Sequence, residues 1–204
     1  WPLAFTGLFG VFMLNIDIIM LGWWRSAEEI GYYSVSQRVV QVFYTLPAIF
    51  ASAVFPAVAR FIKQKEFDKV KILNEKSVTA LYFAAIPLAI GGVILSAPII
   101  AFLFGKEYLP ATASFQILIA SVLIQFPSAI LAGLIMAYNQ QKQFVKYAVL
   151  GSASNVIFNI FLIPIWGIAG SATATLIAQL SYYVPIWLKS LGKNVTVIKG
   201  DSSR

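Results

Sequence analysis

Six apolar stretches follow one another along this chain of 204 residues, each about 20 residues long or longer. At about 1.5 Å of rise per residue, a helix of that length crosses the ~30 Å hydrocarbon layer of a bilayer. Hydrophobic residues make up 59% of the chain and charged residues 11%, whereas charged residues are about a quarter of an average soluble domain. The sequence therefore predicts an all-α integral membrane protein, a bundle of six transmembrane helices.

Turn signals set the boundaries of the predicted spans. Gly105–Pro110 separates the third span from the fourth, and Pro164–Gly167 predicts a tight turn before the sixth. Residues 61–76 alternate Lys with apolar side chains, which predicts an amphipathic linker on the inner membrane surface, and residues 189–204 form a basic tail. The spans cover about residues 3–24, 31–60, 77–104, 112–138, 144–163 and 167–188 within one lobe, residues 1–188.

The positive charges lie mostly on one side of these spans. Of the 15 Lys and Arg residues, Arg25 and Lys106 fall on the opposite side and Arg38 falls within a span. Loops rich in Lys and Arg stay in the cytoplasm, so we expect both ends of the chain there. The net charge of +7 then reflects membrane topology. We expect the bilayer as a partner and no nucleic acid.

Histidine and cysteine are both absent from the chain. Their absence removes disulfides, thiolate nucleophiles, the usual zinc sites and histidine acid–base chemistry. We therefore predict no catalytic residue and no metal site. The chain begins at Trp1 without an initiator Met, and we expect a missing N-terminal part.

Asp17 and Arg38 are the two charges placed inside predicted spans. Insertion of such a charge into hydrocarbon costs at least roughly 2.5 kcal/mol, so each must face protein or a watery cavity. Asp17 lies seven positions before Trp24 and Arg38 seven after Gly31, so antiparallel neighbours would place both about 10 Å deep. We predict that the two pair. A structural salt bridge and a role in substrate or ion handling both stay open.

Polar side chains form stripes on five of the six spans. A single Ser, Thr or Asn usually only hydrogen-bonds across helices, but five stripes favour an enclosed wet passage. The second span presents Ser34, Arg38, Gln41, Thr45, Ala48 and Ser52 on one face. The other stripes are Thr6, Gly10 and Asp17; Ser121, Gln125 and Ser128; Ser152, Asn155 and Asn159; and Ser171, Thr175 and Gln179.

A family resemblance enters through the first two spans. Asn15–Trp24 (NIDIIMLGWW) and Ile30–Arg38 (IGYYSVSQR) resemble a signature of polysaccharide exporters, in which Asp, apolar residues and Leu-Gly precede a short outer turn, Gly-Tyr-Tyr-Ser and a basic residue. Leu46-Pro47, Phe55-Pro56 and Lys106–Ala111 also look like their counterparts there. Over about residues 10–188 the chain is similar to the Wzx-type O-antigen and polysaccharide flippases of the MATE-like multidrug/oligosaccharidyl-lipid/polysaccharide exporter superfamily.

The resemblance implies the second of two six-helix lobes that face each other across a central cavity, with the missing N-terminal lobe as partner. It implies a flippase and not an enzyme, in the bacterial cytoplasmic (inner) membrane, that serves polysaccharide or lipopolysaccharide biosynthesis. The substrate would be an undecaprenyl-diphosphate-linked oligosaccharide, moved by alternating access. The resemblance implies cationic cavity residues that bind the diphosphate and sugar acids, which matches only Arg38 here.

Our hypothesis for the site assigns a role to each polar cavity residue. Arg38 attracts the diphosphate, and Asp17 either holds Arg38 or couples to Na⁺ or H⁺, with no other cofactor expected. The hydrogen bonds to sugar hydroxyls are assigned to Gln41, Gln125, Asn155, Asn159 and Gln179.

Three alternatives stay open. One is another branch of the same superfamily, either a cation-coupled multidrug extruder or a lipid II flippase. The second is a membrane enzyme with large outer loops, which the short outer turns disfavour. The third is a non-transporting membrane scaffold, which would have polar stripes that are dry and fully paired.

Overall fold

The computed structural model of the chain describes residues 15–138 and 141–192, the side chains of 141–144 and 189–192 excepted. Helices account for all the regular structure of this part of the chain. Outside these described residues lie the start of the first predicted span, with Thr6 and Gly10 of its stripe, and residues 193–204 of the basic tail. The helices are α1 (15–24), α2 (Ala27–Lys63), α3 (Phe67–Ile94), α4 (Ser96–Phe104), α5 (Thr112–Ala120), α6 (Val122–Ala137) and α7 (Gln141–Gly192), with a 3₁₀ helix at Lys106–Ala111.

Four of the described stretches are long and apolar enough to cross a membrane. The last of them is 44 residues long and corresponds to the fifth and sixth predicted spans. Gly167, with φ 56° and ψ −133°, interrupts α7 between these two spans. Only glycine adopts this backbone conformation readily. The prediction of an all-α multi-pass membrane bundle is therefore confirmed. The four stretches are Ala27–Lys63, Phe67–Ile94, Lys106–Ala137 and Val145–Leu188.

The two segments of α7, residues 141–166 and 168–192, pack against each other as a helical hairpin. A Cβ built at Gly151 would lie 3.0 Å from Cβ of Tyr182 and 3.2 Å from the carbonyl oxygen of Ala178. A Cβ built at Gly170 would lie 2.2 Å from the carbonyl oxygen of Leu162. Small residues thus permit the close approach of the two segments, as is common in membrane helices.

Local signals explain where the helices begin and end. Ser26 and Glu29 form a capping box at the start of α2. The Ser26 N–H donates to the Glu29 carboxylate at 3.4 Å, and the Glu29 N–H donates to the Ser26 hydroxyl at 3.3 Å. Gly105, with φ 99°, ends α4 at the break that the sequence predicted.

The predicted amphipathic linker at residues 61–76 is wrong as a separate surface helix. Residues 61–63 form the last turn of α2, and residues 67–76 form the first turns of α3. The connection itself is only residues 64–66, where Lys65 takes a positive φ of 59°. The alternation of Lys and apolar residues arises because one face of each helix end packs inward: Val58 and Val70 are buried in a small cluster with Leu134.

Serine hydroxyls join neighbouring helices inside the core. Ser36 of α2 and Ser114 of α5 are both buried, with their hydroxyl oxygens 2.9 Å apart. Gln116 donates to Ser96 at 2.9 Å and so joins α5 to the start of α4. These hydrogen bonds join neighbouring helices, as isolated polar residues commonly do in membrane proteins.

Helix α2 is covered least by the rest of the bundle. Only 11% of the residues in its most apolar stretch are buried, against 56% for Lys106–Ala137. The polar stripe that the sequence predicted on this helix lies on the uncovered side, because its members beyond Ser34 are all exposed: Arg38, Gln41, Thr45, Ala48 and Ser52.

Candidate functional site

A cavity of about 390 Å³ opens between α1, α2, the start of α6 and both segments of α7. Three of its lining residues, Gln41, Ala148 and Ser152, are exposed, so the cavity communicates with the outside. Five of the seven predicted site residues line it: Asp17, Gln41, Gln125, Asn155 and Gln179. Each of the five predicted stripes contributes at least one lining residue, although Gln41 is the one contribution of the α2 stripe.

Asp17 lies at the inner wall of this cavity and is 5% exposed. Its Oδ1 accepts a hydrogen bond from Asn159 Nδ2 at 2.8 Å. Its Oδ2 accepts from the hydroxyls of Tyr33 at 3.1 Å and Thr175 at 2.8 Å. The carboxyl group is thus held by neutral donors from α2 and from both segments of α7.

Asn159 is fully buried behind Asp17, and its amide orientation is fixed by its neighbours. Its Nδ2 donates to Asp17 Oδ1 and, at 3.0 Å, to Asn155 Oδ1. Both partners are acceptors, so the NH₂ group must point toward them. The other atom of the amide, Asn159 Oδ1, is buried without a hydrogen-bond partner among the described residues.

A second chain of hydrogen bonds ends at Gln179. Ser121 donates its single hydroxyl hydrogen to the carbonyl oxygen of Leu118 at 2.5 Å, so Tyr44 must donate to Ser121. The Tyr44 oxygen then accepts from Gln179 Nε2 at 3.3 Å. Gln179 Oε1 is left buried without a partner in the described part of the chain.

The predicted pair between Asp17 and Arg38 is wrong. Arg38 is exposed, it does not line the cavity, and the ion pairs between described residues do not include it. The prediction counted residues to estimate depth and did not take into account the direction of each side chain around its helix. Tyr33 is the α2 residue that meets Asp17, and Arg38, five positions later, points about 140° away from it.

Arg25 ties the C-terminal end of α1 to the turn in α7. Its guanidinium group donates to the carbonyl oxygen of Ile163 at 2.5 and 3.2 Å and to that of Pro164 at 2.9 Å. These carbonyls lie in the last turn of the first α7 segment, where helix carbonyls lack partners within the helix. Glu29 lies 3.8 Å from the same guanidinium. Arg25 thus joins the ends of the helices that carry Asp17 and Asn159.

Several cavity residues were not among the predicted site residues. Thr175 was recognised only as part of a polar stripe, and Tyr33 only as part of the family signature. Tyrosine counts as hydrophobic in a composition pattern, so the aromatic lining gave no polar signal. The missed lining residues with a polar side chain are Tyr33, Gln37, Tyr44, Ser152, Thr175, Tyr182 and Tyr183.

Metal-binding chemistry of the usual kind is not evident at the site. Within residues 15–138 and 141–192, no three His, Cys, Asp or Glu side chains cluster. The oxygen atoms near Asp17 come instead from amides and hydroxyls.

Taken together, the fold and the site define a multi-pass helical membrane protein with a polar cavity and a buried carboxyl group. A family model described as polysaccharide biosynthesis protein matches residues 1–113, more than half of the chain, and the chain belongs to that family. The resemblance found in the sequence is thereby confirmed.

Two curated relatives come from Haloferax volcanii. The chain is 26% identical over 166 residues to the probable low-salt glycan biosynthesis flippase Agl15, and 26% identical over 167 residues to the probable flippase AglR. These alignments cover 81% and 80% of the chain but 35% of each relative, so the chain spans about a third of their length. No solved structure matches the chain significantly.

Proposed function

We propose that the chain is one lobe of a flippase that moves a lipid-linked oligosaccharide across a membrane by alternating access. The proposed carrier is undecaprenyl diphosphate, and the proposed location is the bacterial cytoplasmic (inner) membrane with both chain ends inside. The names of the two relatives, both probable flippases, support this function. In this function the protein makes and breaks no covalent bond, so it is a transporter and not an enzyme.

The observation that carries the proposal is the open polar cavity inside an otherwise apolar bundle. Amide side chains and a carboxyl group face it, although lipid-exposed helices avoid such groups. A scaffold would need its polar stripes dry and paired. Here Gln41 and Ser152 line the cavity and are open to the outside. A passage for a hydroxyl-rich substrate explains this exposure of polar groups.

The uncovered polar stripe of α2 supports a second lobe as partner. Arg38, Gln41 and Thr45 are exposed within a helix long and apolar enough to span the membrane. Contact with lipid tails would cost free energy for each polar group, and most for the charge. A facing lobe across a wet central passage would remove that cost. The stripe would then line the route of the substrate.

Asp17 is our candidate for cation coupling. The structure removes Arg38 as its counter-ion, and the described neighbours that bond it are neutral. We propose that this buried carboxyl group, whose bonded neighbours among the described residues are neutral, holds the coupling cation, Na⁺ or H⁺. The unpartnered Asn159 Oδ1 adds an oxygen next to the carboxyl group. Hard cations such as Na⁺ prefer oxygen ligands of this kind.

Flipping of a lipid-linked oligosaccharide by the complete gene product in proteoliposomes tests the proposal. We expect Asp17→Asn to abolish the dependence of the flipping rate on a Na⁺ or H⁺ gradient. Arg38→Gln should lower the rate by about tenfold, equivalent to loss of roughly 1.4 kcal/mol of binding to the diphosphate. The matched controls are Asp68→Asn and Lys76→Gln, which change exposed residues outside the cavity.

Unchanged flipping in both site variants, at equal protein content, would remove Asp17 and Arg38 from the mechanism. Absence of flipping by the parent protein would contradict the function itself. Extrusion of a cationic dye by that protein would then favour the multidrug branch of the superfamily.

A further inference from the structure

We propose that the cavity between α1, α2, α6 and α7 is a subsite for an uncharged sugar, and that it excludes phosphate and acidic sugars. This inference rests on the proposed function, because the sugar belongs to the lipid-linked substrate. In this arrangement the sugar and the diphosphate are recognised at two different sites, whereas a single cationic cavity would bind both. The sugar is bound inside the lobe, and the diphosphate is bound outside it.

The charges of the cavity wall are the first argument. Asp17 is the one ionisable acid among the described lining residues, and no described Lys or Arg lines the cavity. A phosphate or carboxylate that entered would lose its hydration without gaining a cation, and an ionised Asp17 would repel it. An uncharged ligand meets neither penalty.

The neutral polar groups of the wall are the second argument. The wall carries the amides of Gln41, Gln125 and Gln179 and the hydroxyl of Ser152. Gln41 and Ser152 are exposed, and an amide or a hydroxyl group can both donate and accept hydrogen bonds. Sugar hydroxyls pair with both kinds of group, whereas an ionised phosphate or carboxylate carries only acceptors. The wall therefore suits a hydroxyl-rich ligand, and the charge of Asp17 disfavours its acidic forms.

Aromatic rings and volume agree with a sugar. Tyr44, Tyr182 and Tyr183 line the cavity, with the last two rings 4.6 Å apart between centroids. Tyrosine offers a flat apolar face beside a polar hydroxyl, which suits a sugar ring with its C–H and O–H groups. The volume of about 390 Å³ lies near the lower limit of small-molecule sites. It suits one end of a glycan and not a whole oligosaccharide.

Arg38 occupies a complementary position outside the cavity. It lies three residues before Gln41, which both lines the cavity and is exposed, and so points about 60° away from it. An anionic group linked to a sugar in the cavity could therefore reach Arg38 from the open side. The arrangement matches the order of groups in a lipid diphosphate sugar.

Thiol protection tests the subsite directly, because the chain contains no native cysteine. Ser152→Cys would place a thiol at the exposed edge of the cavity, and Lys106→Cys would place one at the distant outer turn. The complete gene product, with any cysteine outside this chain replaced, is labelled with a water-soluble maleimide. The probes are a polyprenyl diphosphate that carries a neutral disaccharide, the same lipid with a hexuronic acid, and the same lipid without sugar.

We expect the neutral disaccharide lipid to slow labelling of S152C by roughly fivefold at about four times its Kd, and the other two lipids to leave it unchanged. K106C should be unaffected by all three. Adding Gln179→Leu to S152C should remove the protection while the labelling rate without lipid stays the same. Gln125→Leu provides a second cavity variant if Gln179→Leu fails to fold.

Equal protection by the sugar-free or acidic lipid would overturn the proposal, as would no protection by the neutral lipid. Flipping by the S152C protein, measured in parallel, separates this result from the proposed function. Flipping without protection removes the subsite and keeps the flippase. Protection without flipping keeps the subsite and removes the flippase.

Discussion

Asn159 donates a hydrogen bond of 2.8 Å to the carboxyl group of Asp17 across 142 positions of sequence. Thr175, on the other side of the Gly167 turn, donates to the same carboxyl group at 2.8 Å. The carboxyl group therefore joins α1 to both segments of α7, and the geometry of the cavity wall depends on this junction.

Replacement of Asn159 by Leu should destabilise the bundle. The substitution removes a donor from a buried acid while keeping a similar side-chain volume, and a buried acceptor left unsatisfied costs about 1–3 kcal/mol. We expect a lower thermal unfolding midpoint in detergent. In the Asp17→Asn background the same substitution should cost less, because the double-mutant cycle then lacks the carboxyl acceptor. Equal losses in both backgrounds would show that the two side chains are not coupled.

Arg25→Gln should loosen the outer end of the bundle. The guanidinium group satisfies the last carbonyls of the first α7 segment, and glutamine is too short and uncharged to replace it at both. The group is partly exposed, so we expect a loss of only about 1–2 kcal/mol, seen as a lower unfolding midpoint. Lys106→Gln is the control, because Lys106 is an exposed cation outside the ion pairs between described residues. An identical midpoint in both variants would contradict the role of Arg25.

Gly170→Ala should destabilise the α7 hairpin. The new Cβ would lie 2.2 Å from the backbone oxygen of Leu162, which cannot move without a shift of the first segment. Overpacking of this kind costs about 1–3 kcal/mol. Gly133→Ala is the matched control, since nothing lies within 4 Å of its Cβ position. It should be neutral or stabilising, because alanine favours helix over glycine by about 1 kcal/mol. The two unfolding midpoints should therefore move in opposite directions.

Cysteine labelling of intact cells tests the orientation of the chain. We expect an impermeant maleimide to label Lys106→Cys in intact cells, and Gln64→Cys only after permeabilisation. The physical basis is the retention of Lys- and Arg-rich loops in the cytoplasm. Both positions are exposed, so access to the thiol reports the side of the membrane. The reverse pattern would invert the proposed topology.

Much of the architecture could be predicted from local sequence. Apolar length gives the spans, and the breaks at Gly105 and Gly167 fall where glycine permits a positive φ. Periodicity also gave the stripes that converge on the cavity, because residues three or four apart share a helix face. Five predicted site residues line the cavity for that reason.

The partner of Asp17 was decided by the tertiary structure alone. Depth in the membrane follows from counting residues, but rotation of one helix about its axis depends on how its neighbours pack. That rotation turned Tyr33 toward Asp17 and Arg38 toward the outside. The same packing left Gln179 Oε1 without a partner among the described residues. Sequence thus determined which segments are apolar and long enough to span a membrane, while helix packing determined which of their side chains meet.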